Sequence, residues 1–290
     1  MRLTPGNVNP RRGSLTFLCS RTIILFVPAD YHTHTPLCHH AIGAPVEYAL
    51  AAIGLGLDEI GISDHSPMPG PFDDWRMDLA DFSDYLALVS EAREAVAPFP
   101  VRLGLEVDYF AGQESWIEKL TGLAPWDYLI GAVHYLGPGW DVDNPKWIGR
   151  FEELPVEEIW TRYFAEYERC VRSGAFDFVA HPDLVKKFGH RPAGDLRPYY
   201  EPIITALVET GTVMEVSTAG LRKPVGEIYP SPEMLAMAHA AGVEIVISSD
   251  AHAPGEVGAD FDLAEKLVHE AGYRHTVHFR RREKTRVPLS

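Results

Sequence analysis

Two histidines one residue apart, His32 and His34, open a series of metal-type side chains that recurs along the chain. Asp64-His65, Glu106, His134, His181 and Asp250-Ala251-His252 follow it. In an extended segment residues i and i+2 project to the same side, so His32 and His34 can reach one ion, and so can Asp250 and His252. Imidazole nitrogens with a few carboxylates suit Zn, Mn or Fe better than Ca or Mg. Each fragment alone says little. A lone HxH is more often a surface or core pair, a single His134 or His181 more often a hydrogen-bonded core histidine, and Asp64 by itself a helix or turn cap. The joint placement carries the inference, and it depends on the elements that hold these residues.

Those elements alternate. Short β-branched and apolar runs read as strands over Ile23–Ala29, Glu59–Ser63, Val101–Val107, Tyr128–Val133, Phe176–Ala180, Thr212–Val216 and Val243–Ser248, with a last one over Thr276–Phe279. Helical patterns lie between them, over Val46–Leu55, Phe82–Ala97, Val156–Ser173, Tyr199–Thr210, Pro232–Ala241 and Leu263–Ala271. Ser231-Pro232-Glu233 is a helix start, with an N-cap, a proline at the first position and an acid in the first turn, and Gly242 is a plausible stop. Strand–helix alternation predicts a parallel sheet. Six of the seven main strands then deliver a metal-type ligand at the same end, the C-terminal rim where barrel enzymes assemble their sites. The Pro/Gly-rich stretches Ser66–Phe72 and Gly137–Pro145 directly follow strands and read as site-building loops. No linker or repeat interrupts the pattern, so residues 23–290 are expected to form a single domain.

The bulk properties narrow the function. The 290 residues carry a formal net charge of -15, and the basic stretch Arg280, Arg281, Arg282, Lys284, Arg286 is confined to the C-terminus. An acidic surface disfavours sequence-independent nucleic-acid binding and docking on anionic membranes, but not a small anion held by metal. Three cysteines without CxxC spacing argue against a disulfide framework and for a reducing, cytoplasmic setting. The apolar run Leu15–Val27 is broken by Ser20-Arg21-Thr22, lacks a clean cleavage site and is too short to span a bilayer. Residues 1–22 are read as a disordered N-terminal extension.

Six segments in order resemble the polymerase and histidinol phosphatase (PHP) superfamily, and within it the monofunctional histidinol-phosphatases. They are His32–His40 (HTHTPLCHH), Ser63–Pro67 (SDHSP), Gly104–Tyr109 (GLEVDY), Gly131–Tyr135 (GAVHY), Ala180–Asp183 (AHPD) and Ser248–His252 (SSDAH). The narrower likeness leans on Trp140–Asn144, Thr218–Lys223 and the Tyr229-Pro230-Ser231 turn. The resemblance covers about residues 29–289. It implies a distorted TIM-like (β/α)7 barrel with two to three divalent transition-metal ions (Zn, Mn or Fe). Carried over by motif, one ion takes His32, His34, Glu106 and Asp250. A second shares Glu106 and adds His134 and His181, and a third takes His40, His65 and His252. His40 is preferred to its neighbour His39 because the family's third histidine falls eight places after the first. Glu106, Asp250 and His252 are expected to carry the catalytic function.

The chemistry that follows is phosphomonoester hydrolysis. Divalent ions with two carboxylates leave the pocket positive, which suits a phosphate dianion, and they lower the pKa of a bridging water. Arg222 is the leading organic phosphate contact, since guanidinium matches phosphate bidentately, with Lys187 and Arg191 behind it. For each cation the alternative is a solvated surface charge. Tyr109, Phe110, Tyr135 and Trp140 are placed to flank a flat ring or to fill the core. His190, His239, His269, His275 and His278 read as ordinary. The leading reading is hydrolysis of L-histidinol phosphate. The runner-up is a superfamily phosphoesterase acting on nucleotides or oligonucleotide ends, and a third is a silent module of the kind attached to bacterial replicative polymerases. The complete ligand set counts against the third, and no metal-bridging lysine supports an amidohydrolase.

Overall fold

In the computed structural model the described residues are residue 1, residues 29–137 and residues 139–289. The extension read over 1–22, the apolar run Leu15–Val27 and nearly all of the strand expected over Ile23–Ala29 lie outside them.

The main strands are β1 (Ala29–Asp30), β2 (Glu59–Ile62), β3 (Val101–Leu103), β4 (Glu106–Asp108), β5 (Ile130–Ala132), β6 (Phe178–Val179), β7 (Val213–Ser217) and β8 (Ile245–Ser248). All pairings among them are parallel, in a three-stranded sheet β1-β2-β3 and a five-stranded sheet β4-β5-β6-β7-β8. Helices α1 (Pro45–Leu55), α2 (Phe82–Ala95), α3 (Glu114–Thr121), α4 (Val156–Arg172), α5 (Arg197–Thr210), α6 (Pro232–Ala240) and α7 (Phe261–Ala271) make the crossovers. Ser231 caps α6 as its sequence suggests, its hydroxyl accepting from the Met234 amide at 3.4 Å.

The strand expected over Val101–Val107 is two strands. Its break at Gly104-Leu105 comes from packing: a Cβ on Gly104 would lie 2.2 Å from the Tyr128 ring, and one on Gly61 2.0 Å from the Tyr128 hydroxyl. Tyr128 fills the inside of the ring, where it donates to the Tyr31 carbonyl at 2.6 Å. β3 pairs with β2, while β4 leaves it to pair with β5. Seven strand positions therefore form a ring with two seams, each spanned by one bridge at the C-terminal end: His65 to Glu106, and Thr33 to Ala251. At the second seam the His34 amide donates to Ala251 O at 2.9 Å and the Ala251 amide to His32 O at 3.0 Å. The ladder is not regular around the circle, and both seams fall among the candidate ligands.

Burial divides into two layers. Tyr31, Tyr128, Ile130, Phe178, Val213 and Val246 pack inside the ring, and the larger core, including Tyr85, Trp160 and Leu207, lies between strands and helices. The inner core is closed by an antiparallel hairpin, β9 (His275–Arg280) and β10 (Glu283–Pro288), which inserts Val277 and Phe279. Only β9 was expected. Its turn places Arg281 and Arg282 at φ 53° and 66°, a two-residue left-handed turn made without the Asn-Gly or Asp-Gly that usually signals one.

Candidate active site

The strand ends bring the expected residues together around one carboxylate. Glu106, the first residue of β4, is 1% exposed. Its Oε1 lies 3.1 Å from His181 Nε2, 3.3 Å from His32 Nε2 and 3.7 Å from His134 Nε2. Its Oε2 lies 2.7 Å from His65 Nδ1 and 3.8 Å from His34 Nε2. Asp250 Oδ1 sits 3.0 Å from His34 Nε2, 3.6 Å from His252 Nδ1 and 3.7 Å from His32 Nε2. The His252 ring stacks on His34 at 4.0 Å between centroids and lies 4.6 Å from that of His40. Among the described residues the donor atoms of five triads converge closely enough to share an ion: His32/His34/Asp250, His32/Glu106/His181, His34/His65/His252, His34/Cys38/Asp64 and Cys38/His40/His252. His40 groups instead with Cys38 and His252. His39 is exposed, with its backbone in the left-handed region at φ 66°.

These contacts are not a finished hydrogen-bond network. His32 Nε2, His65 Nδ1 and Glu106 Oε2 are buried without a hydrogen-bond partner, although each has opposite-type atoms nearby. Buried polar atoms are rarely left unpaired, and a convergent set of such donors fits a divalent ion. Two of the residues also hold strained backbone, His181 at φ 28° and Asp250 at φ 52°. Non-glycine residues in such regions typically cost about 1–3 kcal/mol and concentrate at functional sites.

Outer groups orient the cluster. His32 Nδ1 meets Glu215 Oε1 at 2.7 Å, and the other oxygen of Glu215 accepts from the His181 amide at 2.6 Å. His134 Nδ1 meets Asp108 Oδ1 at 2.7 Å, and Asp108 is itself paired with Arg76 at 2.9 Å. His34 Nδ1 lies 3.4 Å from Asp64, whose other oxygen accepts from Thr35. This is the carboxylate–histidine arrangement that fixes the tautomer of a metal ligand. Glu215, Asp108, Arg76 and Thr35 were not singled out from sequence. An acid inside the apolar strand Val213–Ser217, and a second acid at i+2 from Glu106, were the available signals.

Electrostatics separates the imidazoles into two groups. Burial pushes His65 down to about 4 and holds His252 and His40 below their ordinary value, so these rings are neutral at pH 7. Burial also penalises charge on His34 and His134, but hydrogen bonds donated to Asp250 and Asp64 raise His34 to about 9, and Asp108 raises His134 to about 10. Burial opposes ionisation of Glu106, yet the His32 ring, with the hydrogen bond from His181, holds it well below the usual carboxylate range. Metal-free, the cluster stores protons that a bound cation must displace.

A cavity of about 510 Å³ opens over Glu106, His134, His181, Asp250 and His252. Lys187 lines it and is matched to Asp143 at 2.7 Å. Arg222, the leading phosphate contact expected from sequence, does not line it: one guanidinium nitrogen donates to Ser249 O at 2.5 Å and another, Nη1, is buried without a hydrogen-bond partner. Arg191 does not line the cavity and pairs with Glu227 at 2.6 Å. Of the aromatics, Tyr109, Phe110, Tyr135 and Trp140 are all absent from the cavity wall. Trp75, from the loop after β2, lines it with its ring edge-on to His65 at 4.7 Å. The five histidines read as ordinary do not line the cavity either; His190, for example, stacks on Phe151 at 4.5 Å.

A seven-position α/β ring whose C-terminal rim gathers imidazoles and carboxylates defines a class of barrel proteins with candidate sites for divalent metal. Comparison with known proteins gives the family: the PHP domain model matches residues 30–219, and the chain belongs to that family. It is 44% identical over 257 residues to a protein of Deinococcus radiodurans named probable histidinol-phosphatase, covering 88% of this chain and 97% of that one. It is 30% identical to the histidinol-phosphatase of Bacillus subtilis, covering 80% of this chain and 96% of the relative. Among solved structures it resembles the histidinol phosphate phosphatase of Lactococcus lactis, complexed with Zn, L-histidinol and phosphate, with a TM-score of 0.72 and 21% identity, covering 90% and 99% of the two chains.

Proposed function

We propose that this protein is a metal-dependent phosphomonoesterase that hydrolyses L-histidinol phosphate to L-histidinol and phosphate in histidine biosynthesis. The observation that carries the reading is the convergence of five imidazoles on the single buried carboxylate of Glu106, in a chain 44% identical to a relative bearing that name. Residues 23–290 are read as one catalytic domain, at work in the cytoplasm. Among the described residues no helix is long and apolar enough to cross a membrane.

Two to three transition-metal ions, Zn first among them, are assigned to His32, His34, Glu106 and Asp250; to Glu106, His134 and His181; and to His40, His65 and His252. When bound, such ions supply a nucleophilic water at neutral pH and offset charge on phosphoryl oxygens. The remaining work falls to this chain. Glu106 supplies anionic oxygens to both halves of the cluster, and Asp250 ties the strained loop after β8 to His32 and His34. Glu215 and Asp108 hold His32 and His134 with their Nε2 atoms turned inward. Arg222 braces the Asp250 loop through Ser249 O and keeps Nη1 for a phosphate oxygen, while Lys187 lines the wall paired with Asp143.

The wall also favours a cationic alcohol over a nucleotide. Asp74, Asp141, Asp143 and Glu256 line the cavity outside the assigned metal set. Burial, then the neighbouring Asp143, raises Asp141 above the usual carboxylate range. Carboxylates here attract an ammonium or imidazolium group and repel further phosphates. Elemental analysis and phosphate release test the proposal together: two to three ions per chain and chelator-sensitive hydrolysis are expected. Full activity in excess chelator from a metal-free protein ends it.

A further inference from the structure

The loop after β7 carries two adjacent cations, Arg222 and Lys223, in different situations. Arg222 reaches back to Ser249 O and lies 3.7 Å from Glu256. Lys223 is half-buried, lines the cavity shared by Glu106, His181 and His252, and has no carboxylate partner among the described residues. The other lysine on that wall, Lys187, is neutralised by Asp143, and Lys186, fully buried nearby, is matched to Asp183 at 2.9 Å. An unneutralised ammonium on a wall otherwise rich in carboxylates is unexpected, because any mobile acid within reach would pair with it.

The backbone that presents Lys223 is fixed on both sides. Ser217 and Tyr229 exchange two backbone hydrogen bonds, at 2.7 and 3.0 Å, which clamp the start and end of the loop together. Within it the Lys223 amide donates to Gly220 O at 3.2 Å, Gly226 donates to Lys223 O at 3.0 Å, and Val225 donates to Lys187 O at 2.9 Å. Gly220 permits this packing, since a Cβ there would lie 1.9 Å from Glu227 O. The loop therefore holds its Cα in place while leaving the four-carbon stem to swing, the arrangement of a point-charge anion contact rather than a rigid fork.

We propose that Lys223 is a phosphoryl-binding residue of this site, contacting the phosphate group of the bound monoester and, after reaction, the inorganic phosphate product. The inference rests on the phosphomonoesterase reading but not on the identity of the alcohol. It adds a second cation to the contact proposed for Arg222: Arg222 braces the Asp250 loop through Ser249 O, and Lys223 meets the anion from the cavity wall.

The test uses the metal-loaded full chain, with calorimetric titration of inorganic phosphate and, separately, of L-histidinol. Lys223→Met keeps the stem and removes the charge. Losing one charge-assisted hydrogen bond should weaken phosphate about tenfold. Lys223→Arg should stay within about threefold, as another phosphate-binding cation. Histidinol affinity and metal content should not change in either variant. Phosphate weakened less than about threefold in Lys223→Met overturns the inference, and so does an equal loss for histidinol, which would mark a general distortion. A wild-type protein that binds phosphate but not histidinol would instead refute the substrate named above and leave Lys223 tested on its own terms.

Discussion

Glu215→Gln probes a residue that is no assigned metal ligand itself but holds two residues that are. Glu215 is fully buried and accepts from two sides: His32 Nδ1 at 2.7 Å and the His181 amide at 2.6 Å. A glutamine of the same size has one acceptor oxygen and an NH2 group. The His181 amide is a fixed donor, so the oxygen must stay with it, and the NH2 then faces His32 Nδ1. His32 can answer only by changing tautomer, accepting at Nδ1 and carrying its proton on Nε2, the nitrogen that faces Glu106 and Asp250. Either one buried donor goes unsatisfied, at about 1–3 kcal/mol, or His32 gives up its inward lone pair. The two routes converge on a similar size, since losing an outer-shell partner typically weakens metal binding about 10–100-fold. Competition against a graded series of chelators, read by elemental analysis, measures this directly, with Glu233→Gln on the exposed face of α6 as control. The variant should remain folded and lose one class of ion about 10–100-fold more readily. Metal affinity equal to wild type would refute the reasoning that Glu215 sets the His32 tautomer.

Glu106→Gln should be the most damaging change to an assigned ligand, since it removes an anion that lies within 4 Å of five imidazoles. At least one ion per chain should be lost and kcat/KM should fall more than about a hundredfold, beyond the usual outer-shell loss, as read by elemental analysis and steady-state kinetics. His40→Ala should impair activity and His39→Ala should not, because His40 lines the cavity beside His252 and His39 does not line it; the reverse result would reassign the third ion. Far from the site, burial raises Asp177 to about 6 despite the Arg282 guanidinium beside it. A carboxyl raised in the fold binds more protons there than in the unfolded chain, so its contribution is fullest below about pH 4 and falls as pH rises to about 6. Relative to wild type, Asp177→Asn should therefore gain on the order of 2–3 kcal/mol between those pH values, as followed by urea unfolding.

The candidate ligands were readable because their types are rare beside apolar strands and because they cluster at the ends of such runs; Glu106, expected near the end of one strand, instead opens β4. His32, His34, His65, His134, His181, Asp250 and His252 all fall where that pattern puts them. The orienting carboxylates were harder to see, because Glu215 and Asp108 acquire their meaning from residues 183 and 26 positions away. Fold class was legible in the alternation of strand and helix, but the split at Gly104-Leu105 depends on where the Tyr128 ring lands. The short helix α3 was not expected, since its eight residues offer only Trp116, Ile117 and Leu120 as a buried face. The basic stretch Arg280–Arg286, read from sequence only as charge confined to the C-terminus, forms a hairpin, with the Arg281 amide donating to Asp127 and Lys284 paired with Glu244. Among the cations, sequence favoured Arg222 by its type; only the structure shows which nitrogens are already spent.

The central claim is tested most directly by steady-state phosphate release from the Zn-loaded protein, with L-histidinol phosphate and nucleoside monophosphates measured side by side. The account predicts chelator-sensitive turnover of histidinol phosphate with kcat/KM at least about a hundredfold above that for any nucleotide, the scale expected when a site pairs polar groups that the competitor lacks. A preference for nucleotides, or no turnover of histidinol phosphate by the fully metallated chain, would contradict it.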